Sequence, residues 1–233
     1  MRSPLSIAVA QPACVPGDVV ANVAAHAAAV RLAGSRVVLF PELSLTGYQL
    51  GAPPIDPASD ELARLVSTCE STGSVAFVGA PVASGAARYI ATLAVTSDGS
   101  SVVYRKMNLG GAEASTFSAG AEPVVVDVDG WRLGLSICKD TGVPEHVAAT
   151  AALGIDAYLA GVVHTSDELA EQDRRGATIA ARLRVPVAFA SAAGPVGSAY
   201  PCTAGHSTIW AADATILARG DGNPGEVVAT ILD

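Results

Sequence analysis

Glu42, Lys106 and Cys138 each stand where an apolar run stops. A carboxylate can take a proton, an ammonium group can hold a developing oxyanion, and a thiol is a soft nucleophile. Together they have the parts for acyl transfer through sulfur. Singly, each has a plainer reading. A Glu after Pro is ordinarily a solvated loop residue, a Lys after a hairpin strand is ordinarily a surface charge, and a lone Cys is ordinarily one more small buried hydrophobe. Neither charge lies within helical contact spacing of Cys138, so only the fold can bring the three together.

The elements that must position them are legible from pattern. Residues 37–40 are wholly apolar, as in a strand covered on both faces. Pro41 cannot continue a central ladder, so Glu42 is delivered to the rim of a sheet. Residues 89–95 and 101–105 read as a hairpin around Ser97-Asp98-Gly99-Ser100, with Lys106 directly after it. Asp129-Gly130 is a turn signal, 131–137 is a strand, and Cys138 falls at its end. Lys139-Asp140-Thr141-Gly142 breaks that strand, and Pro144 opens a helix at a position where its missing N–H costs little. A thiol at such an elbow lies close to a helix N-terminus, which can lower its pKa and donate N–H groups to an anion.

The remaining punctuation predicts about eleven short strands and four helices. Asp18 caps a helix closed by Gly34, Asp56-Pro57 starts one that runs to about Thr72, and Thr165-Ser-Asp-Glu168 is a capping box. Residues 75–79 read as a strand followed by a loop through Gly85. Further strands are expected at 5–10, 124–128, 157–160, 187–191, 207–210, 216–218 and 226–232. Hairpins alternate with strand–helix units, which suits two mixed sheets packed face to face with helices outside.

Composition narrows the function. Residues 1–233 can form one α/β domain. No apolar run approaches the ~18 residues of a membrane span. The N-terminus has Arg2 but no leader pattern, because the short apolar stretch 5–10 runs straight into Gln11. Fourteen basic residues stand against 22 acidic ones with no basic cluster, which argues against nucleic-acid or membrane-surface partners. Cys14, Cys69, Cys138 and Cys202 have no CxxC or His/Cys spacing, so they read as reduced thiols of a cytoplasmic protein with no metal site.

Taken in order, the motifs resemble the nitrilase, or carbon–nitrogen hydrolase, superfamily. They are Ala8-Val-Ala-Gln11, Phe40-Pro-Glu42-Leu-Ser-Leu-Thr-Gly47-Tyr48, Tyr104-Arg-Lys106-Met-Asn-Leu109, Glu113 with Phe117 and Gly120, Cys138-Lys-Asp140 with Pro144-Glu145, Ala151-Ala-Leu-Gly154-Ile-Asp156, and Gly205-His-Ser207. The resemblance implies an α/β fold, a four-layer α-β-β-α sandwich, and a Glu-Lys-Cys triad. Glu42 would be the general base, Lys106 the oxyanion-stabilising cation and Cys138 the nucleophile. Glu113 would orient the lysine and help position substrate, while Tyr48 and Phe117 would line or flank the pocket. The resemblance implies no cofactor, a small amide-like substrate, and a homodimer or larger homo-oligomer. The expected activity is hydrolysis of a non-peptide C–N bond through a thioester.

Several positions depart from the family pattern. Asn108 stands where many members have His, which predicts a structural effect. Lys139 replaces a common aromatic. It is either a cation beside the nucleophile or a solvent-facing side chain. The stretch 180–185 lacks the usual supporting residues. The loop after Gly161 is trimmed, leaving 162–165 where members contact substrate; of these His164 is the candidate for a site role, against the plainer reading of an exposed, unpaired loop His. Tyr200-Pro201-Cys202 lies in a Gly/Pro-flanked loop near the rim, a place from which it could close over the pocket. Two other functions compete. A flavodoxin-like Cys-His-acid hydrolase would pair Cys138 with His164 or His206, but it calls for Gly-x-Cys-x-Gly where this chain has Ser136-Ile-Cys-Lys-Asp140. A catalytically silent member that binds a ligand or partner is suggested by the thinned loops, and opposed by the retained Glu42, Lys106, Cys138 and Glu113.

Overall fold

The computed structural model describes residues 3–233, and Arg2 lies outside them. The chain begins with β1 (Leu5–Gln11), α1 (Val19–Ala33), β2 (Val37–Leu39) and α2 (Ala63–Thr72). There follow β3 (Val75–Ser84), β4 (Ala87–Thr96), β5 (Gly99–Arg105), β6 (Val125–Val128) and β7 (Trp131–Ile137). Next come α3 (Pro144–Ala152), β8 (Ala157–Val162), α4 (Leu169–Leu183) and β9 (Val187–Ser191). The last elements are β10 (Ala193–Gly194), β11 (Thr203–Ala204), β12 (Thr208–Trp210), β13 (Ile216–Arg219) and β14 (Glu226–Leu232).

Two six-stranded sheets form, in the orders β14-β1-β2-β3-β4-β5 and β13-β12-β9-β8-β7-β6, and β10 and β11 make a small separate pair. Each large sheet has three parallel strands at its centre, β1-β2-β3 and β7-β8-β9, flanked by antiparallel ones. Strand alternation sorts the side chains into layers. Leu5, Ile7 and Val9 meet Leu133, Leu135 and Leu159 between the sheets, around Trp131. Ala8 and Ala10 turn outward against Val23 and Val30 of α1 and Leu65 of α2. Tyr158, Ala160 and Val162 turn outward against Val147 of α3 and Ile179 of α4. The order of layers is α-β-β-α, the sandwich expected from the resemblance.

Local signals account for the helix ends. Asp18 accepts from the Ala21 amide, Gly34 closes α1 in a left-handed conformation, and Glu168 closes a capping box by accepting from the Thr165 amide. Two expectations need correction. Asp56-Pro57 does not open α2. The Asp56 carboxylate accepts from the Ala58 amide and makes a turn, and the helical run starts only after Ser59 accepts from the Glu61 amide. The strand expected at 75–79 runs on to Ser84 and turns at Gly85 into β4. Pro81 is tolerated because it lies beyond Phe77, the last residue paired to β2. No helix among the described residues is long and apolar enough to cross a membrane.

Candidate active site

The rim at the carboxyl ends of the parallel strands collects the functional side chains, as in open α/β sheets generally. β2 ends at Leu39. The Phe40 amide still donates to Phe77 O, and Pro41 then ends the ladder, so Glu42 projects from the rim. Leu43 has φ of 52°, and the turn is closed by the Thr46 amide donating to Leu43 O. The Glu42 segment is gripped from both sheets. A Cβ on Gly79 of β3 would sit 2.4 Å from Pro41 O, and one on Gly161 of β8 would sit 2.6 Å from Phe40 O and 3.0 Å from the Glu42 nitrogen. From α1, His26 holds the same segment. Its Nδ1–H donates to Asn22 O at 2.6 Å, which leaves Nε2 to accept from Ser44 Oγ at 2.9 Å. Burial keeps this imidazole neutral, with its pKa pushed down to about 4. Gly161→Ala is expected to cost about 1–3 kcal/mol, because backbone atoms cannot yield to the added methyl, and to lower activity by shifting Glu42. A thermal melt and a rate measurement on the same sample check both.

Lys106 follows β5. Its amide donates to Ile90 O and its carbonyl accepts from Gly120, so its backbone is fixed on both sides. The side chain is 2% exposed, and Nζ donates to Glu42 Oε1 at 2.6 Å and to Glu113 Oε1 at 2.7 Å. Glu113 sits on a short helical turn. Its Oε2 accepts from the Gly110 amide, and Oε1 also accepts from the Tyr48 hydroxyl. The other oxygen of Glu42, Oε2, is buried and has no hydrogen-bond partner among the described residues. Cys138 closes β7 with φ of 41°, a left-handed conformation that costs energy for a residue with a side chain. Its Sγ donates to Val163 O at 3.3 Å.

The electrostatics follow from burial. Desolvation pushes Glu42 up to about 7, although Lys106 pulls it back, and Glu113 and Asp140 add to the rise. Burial pushes the Cys138 thiol up to about 12; Glu42 adds to the rise and Lys106 opposes it. Burial works against the charge on Lys106, but Glu42, Cys138 and Glu113 outweigh it and hold the amine above the ordinary lysine range. Burial also works against the Glu113 carboxylate, which Lys106, Tyr48 and the Gly110 amide hold below its ordinary range. The resting site is a protonated thiol beside an ammonium group shared by two carboxyl groups. One of those carboxyl groups has a free oxygen.

The structure brings Glu42, Lys106, Glu113, Tyr48 and Cys138 into one electrostatic cluster. Phe117 flanks it, buried between the sheets under the Arg88 guanidinium at 5.2 Å. Lys139 does not join. Its side chain is exposed, and Nζ donates to Leu109 O at 2.6 Å, tethering the loop that leads to Glu113. His164 does not join either, and it is not the exposed loop residue of the plainer reading. It is buried with Nδ1 against Gln172 Oε1 of α4 at 3.2 Å, and that amide is itself fixed by Ser191 Oγ.

One feature escaped the sequence reading. Four donors converge on the fully buried Asp140 carboxylate: the Asn108 amide, Asn108 Nδ2, the Tyr104 hydroxyl and the Ile137 amide. Behind it, His146 Nε2–H donates to the Tyr104 hydroxyl at 2.7 Å. Asn108 thus has the structural effect expected of it, locking the lysine loop to the cysteine elbow. Tyr200, in the loop that the sequence places near the rim, does reach the cluster, and its ring meets Tyr48 edge-on at 4.6 Å. The only signal for it in the sequence is its Gly/Pro-flanked loop. Among the described residues, no group of three His, Cys, Asp or Glu side chains is placed to hold a metal ion.

Comparison with known proteins gives the family and supports the fold. The carbon–nitrogen hydrolase family model matches residues 6–233. A hydrolase of the pqqF 5′ region of Pseudomonas protegens is 27% identical over 229 residues, which cover 93% of this chain and 79% of that one. A mutant of the amidase from Nesterenkonia sp. AN1, with acrylamide added at its active-site cysteine, superposes with a TM-score of 0.88 at 22% identity over 98% of this chain and 93% of its own. Saccharomyces cerevisiae Nit3, of branch 10 of the nitrilase superfamily, superposes with a TM-score of 0.87 at 20% identity over 99% and 90%. At these identities the two structures speak to fold. The family model spans nearly the whole chain, and the protein belongs to the carbon–nitrogen hydrolase family.

Proposed function

We propose that this protein is an amidase-type hydrolase that cleaves the C–N bond of a small non-peptide amide or carbamoyl compound through a thioester on Cys138. One observation carries the reading. Glu42 spends one oxygen on Lys106 and keeps the other, Oε2, buried and without a partner among the described residues, and the Glu42 charge is near enough to Cys138 to raise its thiol pKa. An unpaired buried acceptor is costly unless chemistry uses it.

Glu42 Oε2 takes the thiol proton as sulfur attacks the carbonyl carbon. The high thiol pKa couples the two events instead of leaving a standing thiolate. Lys106 and the Lys139 backbone N–H receive the negative charge on oxygen. The protonated Glu42 then gives its proton to the leaving nitrogen, and ammonia or an amine departs. Water, deprotonated by the same carboxylate, attacks the thioester and releases a carboxylic acid and the thiol. Amides rank ahead of nitriles as substrates.

The test is release of ammonia or amine from a panel of small amides, carbamoyl compounds, ω-amides and nitriles, with acid-quenched mass spectrometry of the Cys138 peptide. Turnover with a transient acyl mass on Cys138 is expected. No release and no adduct across the panel would instead favour a silent member of the family.

A further inference from the structure

The chain between β10 and β11 folds back over the rim. Val196 O accepts from the Tyr48 amide at 2.7 Å, the Val196 amide donates to Tyr200 O at 3.0 Å, and Thr203 Oγ1 donates to Gly194 O at 2.7 Å. These bonds hold Tyr200 on a small apolar cluster of Val163, Ala192 and Val196, with its ring against Tyr48. Both neighbours lead into the site. Val163 is the residue whose carbonyl accepts from Cys138 Sγ, and Tyr48 is the residue whose hydroxyl reaches Glu113. The ring thus bridges the nucleophile's side of the rim and the lysine–carboxylate side. Burial, then Cys138 and Glu42, push its phenol up to about 12, as the proximity of those groups requires.

We propose that Tyr200 is the residue that limits acyl length, so that its ring, backed by Tyr48, closes the site to all but amides of short, unbranched acids. The proposal rests on the hydrolase reading above and adds the substrate class to it. No sequence motif assigns this residue. Its place follows from the loop's hydrogen bonds and the ring contact.

The test compares kcat/KM for acetamide and hexanamide in the parent, Tyr200→Ala and Tyr200→Phe. Removing the ring is expected to raise the hexanamide-to-acetamide ratio by at least about 10-fold, the discrimination that one or two methylenes give in an apolar pocket. Tyr200→Phe should keep the parent ratio within about 3-fold, because ring bulk and not the hydroxyl does the sorting. An equal loss on both amides in Tyr200→Ala would make the residue merely structural. A shift as large in Tyr200→Phe would assign the effect to the hydroxyl. Either result overturns the proposal. A second measurement needs no turnover, namely the alkylation rate of Cys138 by iodoacetamide against 2-iodohexanamide. It is read by peptide mapping because Cys202 is exposed and would react too. The ring should slow the larger reagent selectively, and Tyr200→Ala should remove that selectivity; no change there also overturns the proposal. If the parent hydrolyses no amide yet the alkylation selectivity shifts, the hydrolase reading fails and the wall stands.

Discussion

Glu42→Gln is expected to lower kcat/KM by about 10²–10⁴-fold while the protein stays folded. The amide keeps an oxygen for Lys106 to donate to, and Lys106 keeps Glu113. What is lost is the ability of the second oxygen to take a proton. In the parent, burial puts the Glu42 carboxyl at about 7, and the carboxylate is the working form, so kcat/KM falls as pH drops through 7. The residual activity of the variant should show no inflection there. Stability should move the other way. The folded-state pKa of Glu42 is raised above its ordinary 4.5, so its contribution to stability is full below 4.5 and is lost as pH rises through 7. Gln has no such loss, and the Tm difference between variant and parent should shift in the variant's favour between pH 5 and pH 8. A pH–rate profile and two melts decide the matter. An unchanged inflection near 7 in the variant would mean that another group is the base.

Lys106→Met is the second large effect, on activity and on folding together. It leaves Glu42 and Glu113, 3% and 2% exposed, facing each other without their shared cation. Removing one member of a buried charge set costs about 3–5 kcal/mol, because the remaining charge is left uncompensated. The loss should depend on pH. Without the ammonium group both folded-state carboxyl pKa values rise, so stability is retained while both are protonated and drains away as pH increases. Urea melts at pH 5 and pH 8 should therefore show a much larger deficit at pH 8, and Glu113→Gln added to Lys106→Met should recover part of it. A deficit of equal size at both pH values would trace the effect to lost packing of the lysine stem.

The sequence made some of this legible and hid the rest for physical reasons. Strand bounds were readable where turn residues bracket a run of β-formers, as at Val187–Ser191 and Glu226–Leu232. They failed where a local signal has two uses. Asp56-Pro57 fits a helix start and a turn equally well, and the competition is settled by Ser59 three residues on. Glu42, Lys106 and Cys138, which the fold gathers in one cluster, could be singled out because chain order and motif spacing survive without knowledge of pairing. Tyr200 and the Tyr104–Asp140–His146 contacts join distant parts of the chain, and no periodicity announces them. His164 shows the same limit in reverse, since its partner Gln172 faces it only once α4 has packed on the second sheet.

The pairing of β14 with β1, in register from Leu5↔Leu232 to Gln11↔Glu226, has a consequence in time. During synthesis Glu42 and Lys106 are laid down with the first five strands, and Cys138 follows with the second sheet. β1 is the open edge of the first sheet until β14 arrives to cover it. The loop that this pairing closes spans nearly all the described residues, and such long closures slow folding. All four cysteines are made before that pairing can form.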